Sequence, residues 1–342
     1  MQKDIDVLGI GNAIMDIIAP VRDKFLTVHK IERGSMTLID EPHAVTLTKS
    51  MKKIDGLREV AGGSAANTMV GIAGLGGRVA FNGKIGNDGI GRRLTQGYHD
   101  AGVAFLPKPT KSGTASARCM IAVTRDGERS MSTFLGANAD FGAMDVMKSQ
   151  IKRTKIIYLE GYLFDSKKQK SAFAKAAKLA QETEGQVALT LSDSFCVARH
   201  RESFLEFVEH KTDILFANED ELLALFETDR LDTALDALSD MRPVVCVTRG
   251  EKGSVIQTKE RRHLIPAAPV ETIVDTTGAG DQYAAGVLAG RILGMEWKDA
   301  GYLGSLAASE VIQHYGARPE SSIHDIAAVS APREVPKALA KM

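Results

Sequence analysis

The sequence predicts an α/β fold, a mainly parallel sheet covered by helices on both faces with a smaller β-sheet beside it. Two observations carry that expectation. Short apolar runs rich in β-branched residues alternate with longer segments of helical spacing, which is the rhythm of strand, crossover helix and parallel strand. Two other stretches break the rhythm by alternating polar and apolar residues, as in strands that bury one face only.

Taken in chain order, "IDVLGI" at 5–10 is the first buried strand. Residues 14–45 follow with alternation that suggests a hairpin. "SAANTMVGIAGLG" at 64–76 has helical spacing and ends on glycine. Residues 113–135 alternate again around a turn at "RDGE", a second expected hairpin, and the two stretches are expected to pair in the separate sheet. Strands are then expected at 155–161 ("KIIYLEG"), 187–192 ("VALTLS"), 213–218 ("DILFAN") and 244–250 ("VVCVTRG"), with helices at 167–185, 219–227 and 233–241. The last stretch, 331–342, has two prolines and mixed charge and is expected to be a loosely held tail.

Composition narrows the function classes. Lys+Arg and Asp+Glu are equal at 43 each, so no overall field favours nucleic acid or an anionic membrane surface. Cys119, Cys196 and Cys246 lie far apart without zinc spacing, which fits buried thiols in a reducing compartment. The N-terminus carries acids where a secretory signal needs a basic region, and no run approaches membrane-spanning length; the expected location is cytoplasmic.

The chemistry concentrates in three glycine-rich stretches. In "DTTGAGDQYAAG" (275–286) small residues precede a helix that begins near Asp281. The first backbone N–H groups of a helix lack intrahelical partners, and its dipole favours negative charge, so such a start suits a phosphate. Asp281 at the same end can take a proton from a hydroxyl approaching that phosphate. Alone, such a turn is equally a capped helix start. "AGGSAAN" (61–67) places small residues before a second helix, with Asn67 in its first turns able to face sugar hydroxyls. "GIGNAIMD" (9–16) puts Asn12 and Asp16 just past the first strand, where open α/β sheets bind ligands, and Asp16 can hold a vicinal diol. The spacing of these glycines matches neither the dinucleotide fingerprint nor the Walker loop.

Together these stretches resemble the ribokinase-like (PfkB) family of carbohydrate and nucleoside kinases, over most of the chain. That resemblance implies a Rossmann-like α/β/α sandwich core at 1–13, 46–112 and 136–330, and a small β-sheet lid at 14–45 and 113–135. It makes Asp281 the general base and places the amides of Gly278, Ala279 and Gly280 in an anion hole for the transferred phosphoryl group. "NEDE" (218–221) is similar to the family's N-x-x-E motif, implying that Asn218 and Glu221 organise Mg²⁺ through water beside ATP. "VTRGEKGS" (247–254) implies Thr248, Gly250 and Gly253 near the nucleotide. Asp275 and Thr277 fall where relatives bind a monovalent cation such as K⁺, and "HYGARP" (314–319) resembles the late loop that helps to complete that site.

The acceptor is narrowed by further similarity to the adenosine kinases of the family. "LTLSDSF" (189–195) resembles their Leu-Ser-x-x-Phe segment, which implies Phe195 beside a purine. "DGERSM" (126–131) resembles their lid, with Arg129 reaching the phosphates. Asn12, Asp16, Gly62, Gly63 and Asn67 are then the groups around the sugar. The expected reaction is transfer from Mg-ATP to the 5′-hydroxyl of a nucleoside, adenosine first, with ribose, fructose or a keto-deoxy sugar acid as the alternative acceptors. A regulator that binds a nucleoside without turnover would not need a base aimed at the acceptor. Monomer and homodimer both fit the resemblance.

Overall fold

The computed structural model describes residues 3–331 and 334–340. Among them, nine strands form the large sheet, in the order Arg262–Ile265, Ser254–Gln257, Val244–Thr248, Ile214–Asn218, Gln186–Thr190, Thr154–Glu160, Ile5–Ile10, Val79–Asn82 and Ala104–Phe105. The run from Val244–Thr248 to Ala104–Phe105 is parallel throughout, and the two strands at the other edge are antiparallel. All five strands expected from apolar runs lie in this parallel part. Their side chains divide by the two-residue period of a strand. Val7, Ile156, Tyr158, Ala188, Ile214 and Phe216 enter one core. Leu8, Ile157, Leu159, Val187, Leu189 and Leu215 enter the other. A strand buried on both faces has no polar side to display, and this is why these runs read as continuous apolar sequence.

The chain reverses its progress across the sheet next to Ile5–Ile10. Val79–Asn82 pairs on one side of it and Thr154–Glu160 on the other. Beyond the carboxyl ends of these neighbouring strands the crossovers diverge and leave a crevice, the usual ligand position in an open α/β sheet.

The smaller sheet has the order Met36–Leu38, Arg129–Phe134, Ala117–Val123, Ile14–Pro20 and Arg58–Gly62. Ala117–Val123 and Arg129–Phe134 form the hairpin expected around "RDGE". The hairpin expected within 14–45 does not form. Ile14–Pro20 pairs in parallel with Ala117–Val123 and antiparallel with Arg58–Gly62, and the helix Asp23–His29 intervenes before Met36–Leu38. Alternation reports which face of a strand is buried but not which strand lies next to it, and the tight turn within 14–45, Glu32–Ser35 with Gly34 at φ +70°, joins the helix Asp23–His29 to Met36–Leu38 rather than two paired strands. The sheet thus also takes in a strand from 46–112, a stretch expected in the core.

Met15, Ile17 and Ala19 on the outward face are buried with Leu47 and Met51 of the helix Glu41–Met51. The inward face carries Asp16 and Ile121 toward the large sheet.

The tail expectation is also corrected over the described residues. Glu334–Leu339 is a helix whose Val335 and Leu339, one turn apart, are buried against Leu303 and Leu306. Residues 332–333 and 341–342 of that stretch lie outside the described residues.

The helix Ala279–Ile292 is buried along Gln282–Gly290 and packs on Trp297–Val311. A methyl added at Gly286 would lie 2.6 Å from the N and Cα of Gly304 and 2.6 Å from the Leu303 carbonyl. All three are backbone atoms, so the helices would have to separate. Gly286→Ala is expected to cost about 1–3 kcal/mol of stability, read as a lower urea midpoint. An unchanged midpoint would mean that the two helices do not approach this closely.

Candidate active site

The crevice is a cleft of about 530 Å³ between the carboxyl edge of the large sheet and the inward face of the lid. Asn12, Asp16, Gly63, Asn67, Arg129, Asn218, Glu221, Thr248, Thr277, Gly278, Ala279, Gly280 and Asp281 all line it. Segments more than 200 residues apart in sequence therefore share one cavity.

Asp281 is the third residue of the helix Ala279–Ile292, which starts from Gly278 at φ +78°. A side chain at Gly278 would be strained at that φ and would lie 2.6 Å from Ala317 Cα. The Ser64 hydroxyl donates to Asp281 Oδ1 (2.6 Å) and Asn67 Nδ2 to Oδ2 (3.3 Å). Burial pushes the Asp281 pKa up to about 6, against the lowering effect of those two bonds. Such a carboxyl titrates just below neutrality, which suits a base that must accept a proton and release it. At the helix start the Ala279 amide donates back to the Thr276 carbonyl (3.2 Å).

Asp16 faces the cleft from the lid. Burial raises its pKa to about 7, with the charges of Arg129 and Arg318 pulling down and Asp281 pushing up. A Cβ at Gly62 would stand 2.0 Å from Asp16 Oδ2, so the glycine lets the carboxylate lie directly on the backbone. Asn12 is 2% exposed and already bonded, donating from N and Nδ2 to Glu160 Oε1 (3.3 and 3.0 Å) and accepting from Gln169 Nε2 (2.8 Å).

On the opposite side of the cleft, Asn218 and Glu221 form a reciprocal capping box at the helix Glu219–Phe226. Asn218 N and Nδ2 donate to the two Glu221 oxygens (3.0 and 2.9 Å), and Glu221 N donates to Asn218 Oδ1 (2.8 Å). Burial raises the Glu221 pKa to about 7. A buried carboxylate and an amide oxygen facing the same cavity are hard oxygen donors, which fits a hydrated divalent cation.

Arg129 crosses from the lid to the core, where its Nη1 donates to Asp275 Oδ1 (2.6 Å). The same carboxylate accepts from the Thr277 amide (3.0 Å) and the Gly316 amide (3.0 Å). Burial pushes the Asp275 carboxyl up, but Arg129 and the two amides more than offset it and hold it below the usual value. Asp275 itself lies behind the cleft wall.

Besides Asp275, and Gly62 beneath the Asp16 carboxylate, three further expected residues do not line the cleft. Gly250 and Gly253 shape the turn beyond Thr248 and do not line it. Phe195, expected beside a purine, is 74% exposed and outside the cavity. Asp193 caps the helix Ser194–Lys211 by accepting from Cys196 N (2.9 Å), and that start turns residue 195 outward; Thr190 and Ser192 of the same segment line the cleft instead.

Other residues enter the site without having been singled out by sequence. Glu160, at the end of its strand, accepts from Ala65 N (2.9 Å) as well as Asn12, and burial raises its pKa to about 7. Its signal was an acid closing the apolar run "KIIYLE". Ser64 sits inside "AGGSAAN", and Arg318 inside "HYGARP" approaches Asn67 Oδ1 (3.5 Å). Ile14, Leu38, Ile121, Met131 and Leu135 give the lid side of the cleft an apolar surface.

The comparisons agree with this architecture. The profile described as pfkB family carbohydrate kinase matches residues 28–324. The chain is similar to adenosine kinase of Saccharomyces cerevisiae, 26% identical over 90% of this chain and 94% of that protein. Among solved structures it is similar to adenosine kinase from Sinorhizobium meliloti, with 44% identity, TM-score 0.88 and coverage of 95% of this chain and 99% of that one. A probable sugar kinase from Rhizobium etli CFN 42 is similar at 40% identity and TM-score 0.89, covering 96% and 98%. No helix among the described residues is long and apolar enough to cross a membrane.

Raised carboxyl pKa values also fix a sign for stability. The folded chain holds protons on Asp16, Glu160, Glu221 and Asp281 up to about pH 6–7, where the unfolded chain has released them. Stability therefore falls as pH rises through that window. Asp281→Asn removes one of these groups and is expected to gain on the order of 1–3 kcal/mol over the wild type at pH 8 and little at pH 4. Thermal unfolding at the two pH values measures it. An equal change at both would show that Asp281 carries no raised pKa.

Proposed function

Because the chain belongs to the pfkB family of carbohydrate kinases, it is a phosphotransferase with an alcohol acceptor, and we propose that the alcohol is the 5′-hydroxyl of a nucleoside, adenosine first, with ATP as donor. The observation that carries the reading is Asp281, a desolvated carboxylate at a helix entrance in the same cleft as Asp16. The acceptor would lie with its vicinal diol on Asp16 and its ring beside Gly63 and Asn67. Its primary hydroxyl would then face Asp281, which takes the proton as the phosphoryl group arrives. The amides of Gly278 and Gly280 and the helix dipole would stabilise charge growing on that group, whereas the Ala279 amide, expected beside them, is taken by the Thr276 carbonyl.

Arg129 comes from the lid with its charge already paired to Asp275, and its Nε is buried without a partner among the described residues, a donor left over for an oxyanion. Asn218 and Glu221 are the residues that would hold hydrated Mg²⁺, whose charge neutralises the polyphosphate. Thr248 lines the same end of the cleft.

A nucleoside is favoured over a free sugar by the lid. Asp16 pairs in register with Cys119, and Ile121 continues that strand on the same inward face. A ligand whose diol meets Asp16 presents its other end to this apolar surface, which buries a flat base well and a polyol poorly. The adenosine kinases to which the chain is similar support the same choice.

Asp281→Asn is expected to lower turnover by about two to four orders of magnitude with ATP affinity kept. Wild-type kcat/KM is expected to rise with pH and level off above about 7, as Asp281 and then Asp16 lose their protons. Full turnover in the variant would remove Asp281 from the chemistry. ADP release measured across adenosine, other nucleosides, ribose and fructose, at saturating Mg-ATP, assigns the acceptor; faster turnover of a free sugar would replace the nucleoside.

A further inference from the structure

The resemblance to sugar and nucleoside kinases places a monovalent cation at Asp275 and Thr277, completed by the loop 314–319. A potassium ion there needs a cage of oxygen lone pairs. In this structure the Asp275 carboxylate, the group such an ion would bind, is already engaged. The Asp275 carboxylate, 5% exposed, is met by three N–H donors: Arg129 Nη1 at 2.6 Å, the Thr277 amide at 3.0 Å and the Gly316 amide at 3.0 Å. Thr277 and the late loop thus each give one N–H to Asp275, and Arg129 supplies the positive charge beside it. A guanidinium already in contact with the carboxylate would also repel a second cation beside it.

We infer that Arg129 of the lid takes the place of the monovalent cation at Asp275, so that this kinase carries its own cation and does not respond to potassium. The substitution is physically balanced. Both a potassium ion and a guanidinium supply one positive charge to a buried carboxylate that would otherwise be costly to leave unpaired. The guanidinium differs in being tethered to the strand Arg129–Phe134, so it arrives only when the lid sits against the core. Neutralisation of Asp275 beside the helix entrance at Gly278 is thereby coupled to lid position, a coupling that a diffusible ion does not provide. The inference concerns Asp275 alone and does not depend on which alcohol is phosphorylated.

The test compares melting temperature and turnover in KCl, NaCl and tetramethylammonium chloride at equal ionic strength. The wild type is expected to give the same melting temperature and the same rate in all three. In Arg129→Gln the carboxylate loses its fixed cation, and potassium is expected to raise the melting temperature by roughly 4 °C when present at roughly 100 times its dissociation constant. Arg129→Gln/Asp275→Asn should lose that response. A potassium-dependent melting temperature or rate in the wild type overturns the inference, and the wild-type comparison stands even if the variants fold poorly. A folded Arg129→Gln protein with no potassium response overturns it as well, because Arg129 would then not be what fills the position.

Discussion

Two helix entrances meet over one carboxylate, and the remainder of the site is arranged around that meeting. Ser64 opens the helix Ser64–Gly74, Asp281 lies in the first turn of Ala279–Ile292, and the side chains of Ser64 and Asn67 donate to Asp281 across 217 and 214 residues of sequence. Both dipoles present their positive ends to the same place, which is the condition that lets an anion persist there away from water. Gln282, fully buried, ties the junction together by donating from Nε2 to the Asn67 carbonyl (3.1 Å) and the Ala317 carbonyl (3.0 Å). Gly71 leaves room for that side chain, since a Cβ there would stand 2.2 Å from Gln282 Oε1. Three segments are therefore joined at this point, and Asp281 is held by packing as well as by its own bonds.

The cost of this arrangement is a set of carboxylates buried together, each satisfied differently. Glu160 is saturated by Asn12 and the Ala65 amide, and Glu221 by Asn218. Asp16 has no such donor among the described residues and is opposed only by the charges of Arg129 and Arg318. That difference separates structural acids from one whose oxygens remain available. Glu160 is closed inside a local network and Glu221 is held by its capping box at the cleft wall, where it could meet a cation only through water, whereas Asp16 and Asp281 face the cavity with bonding capacity left. Perturbed acids of the second kind mark functional positions because the fold gains little by burying them.

Much of the core was legible in sequence because a parallel sheet writes a strong pattern: "KIIYLEG" and "VVCVTRG" are apolar on both faces and become strands within a residue or two of their expected ends. The glycine-rich stretches were legible for a related reason, since close backbone approach leaves only small residues possible at Gly62 and Gly278. What could not be read was partnership. The alternation of residues 14–20 fits a hairpin strand as well as the strand that pairs with 117–123 far along the chain. Glu160 and Arg318 were invisible as site residues because a single charged side chain carries no spacing, and only the fold shows what it faces. Phe195 failed through a rotation: one Asp193 cap sets the phase of its helix, and a local motif does not encode that phase.

The lid closes the chain of dependence. Its outward face is buried by the helix Glu41–Met51, so the sheet is one layer of a two-layer body. Its inward face joins a charged end, Asp16 and Arg129, to an apolar one, Ile121 and Met131. The charged end needs a ligand or Asp275 to be worth burying, and the apolar end has a driving force only when a surface comes to meet it. A lid built in this way is most stable against the core when both ends are occupied, by a polar group at one and an apolar body at the other. Water satisfies the first requirement and not the second, which gives a physical reason why such a cleft would close on an alcohol with an apolar substituent before the phosphoryl group is committed.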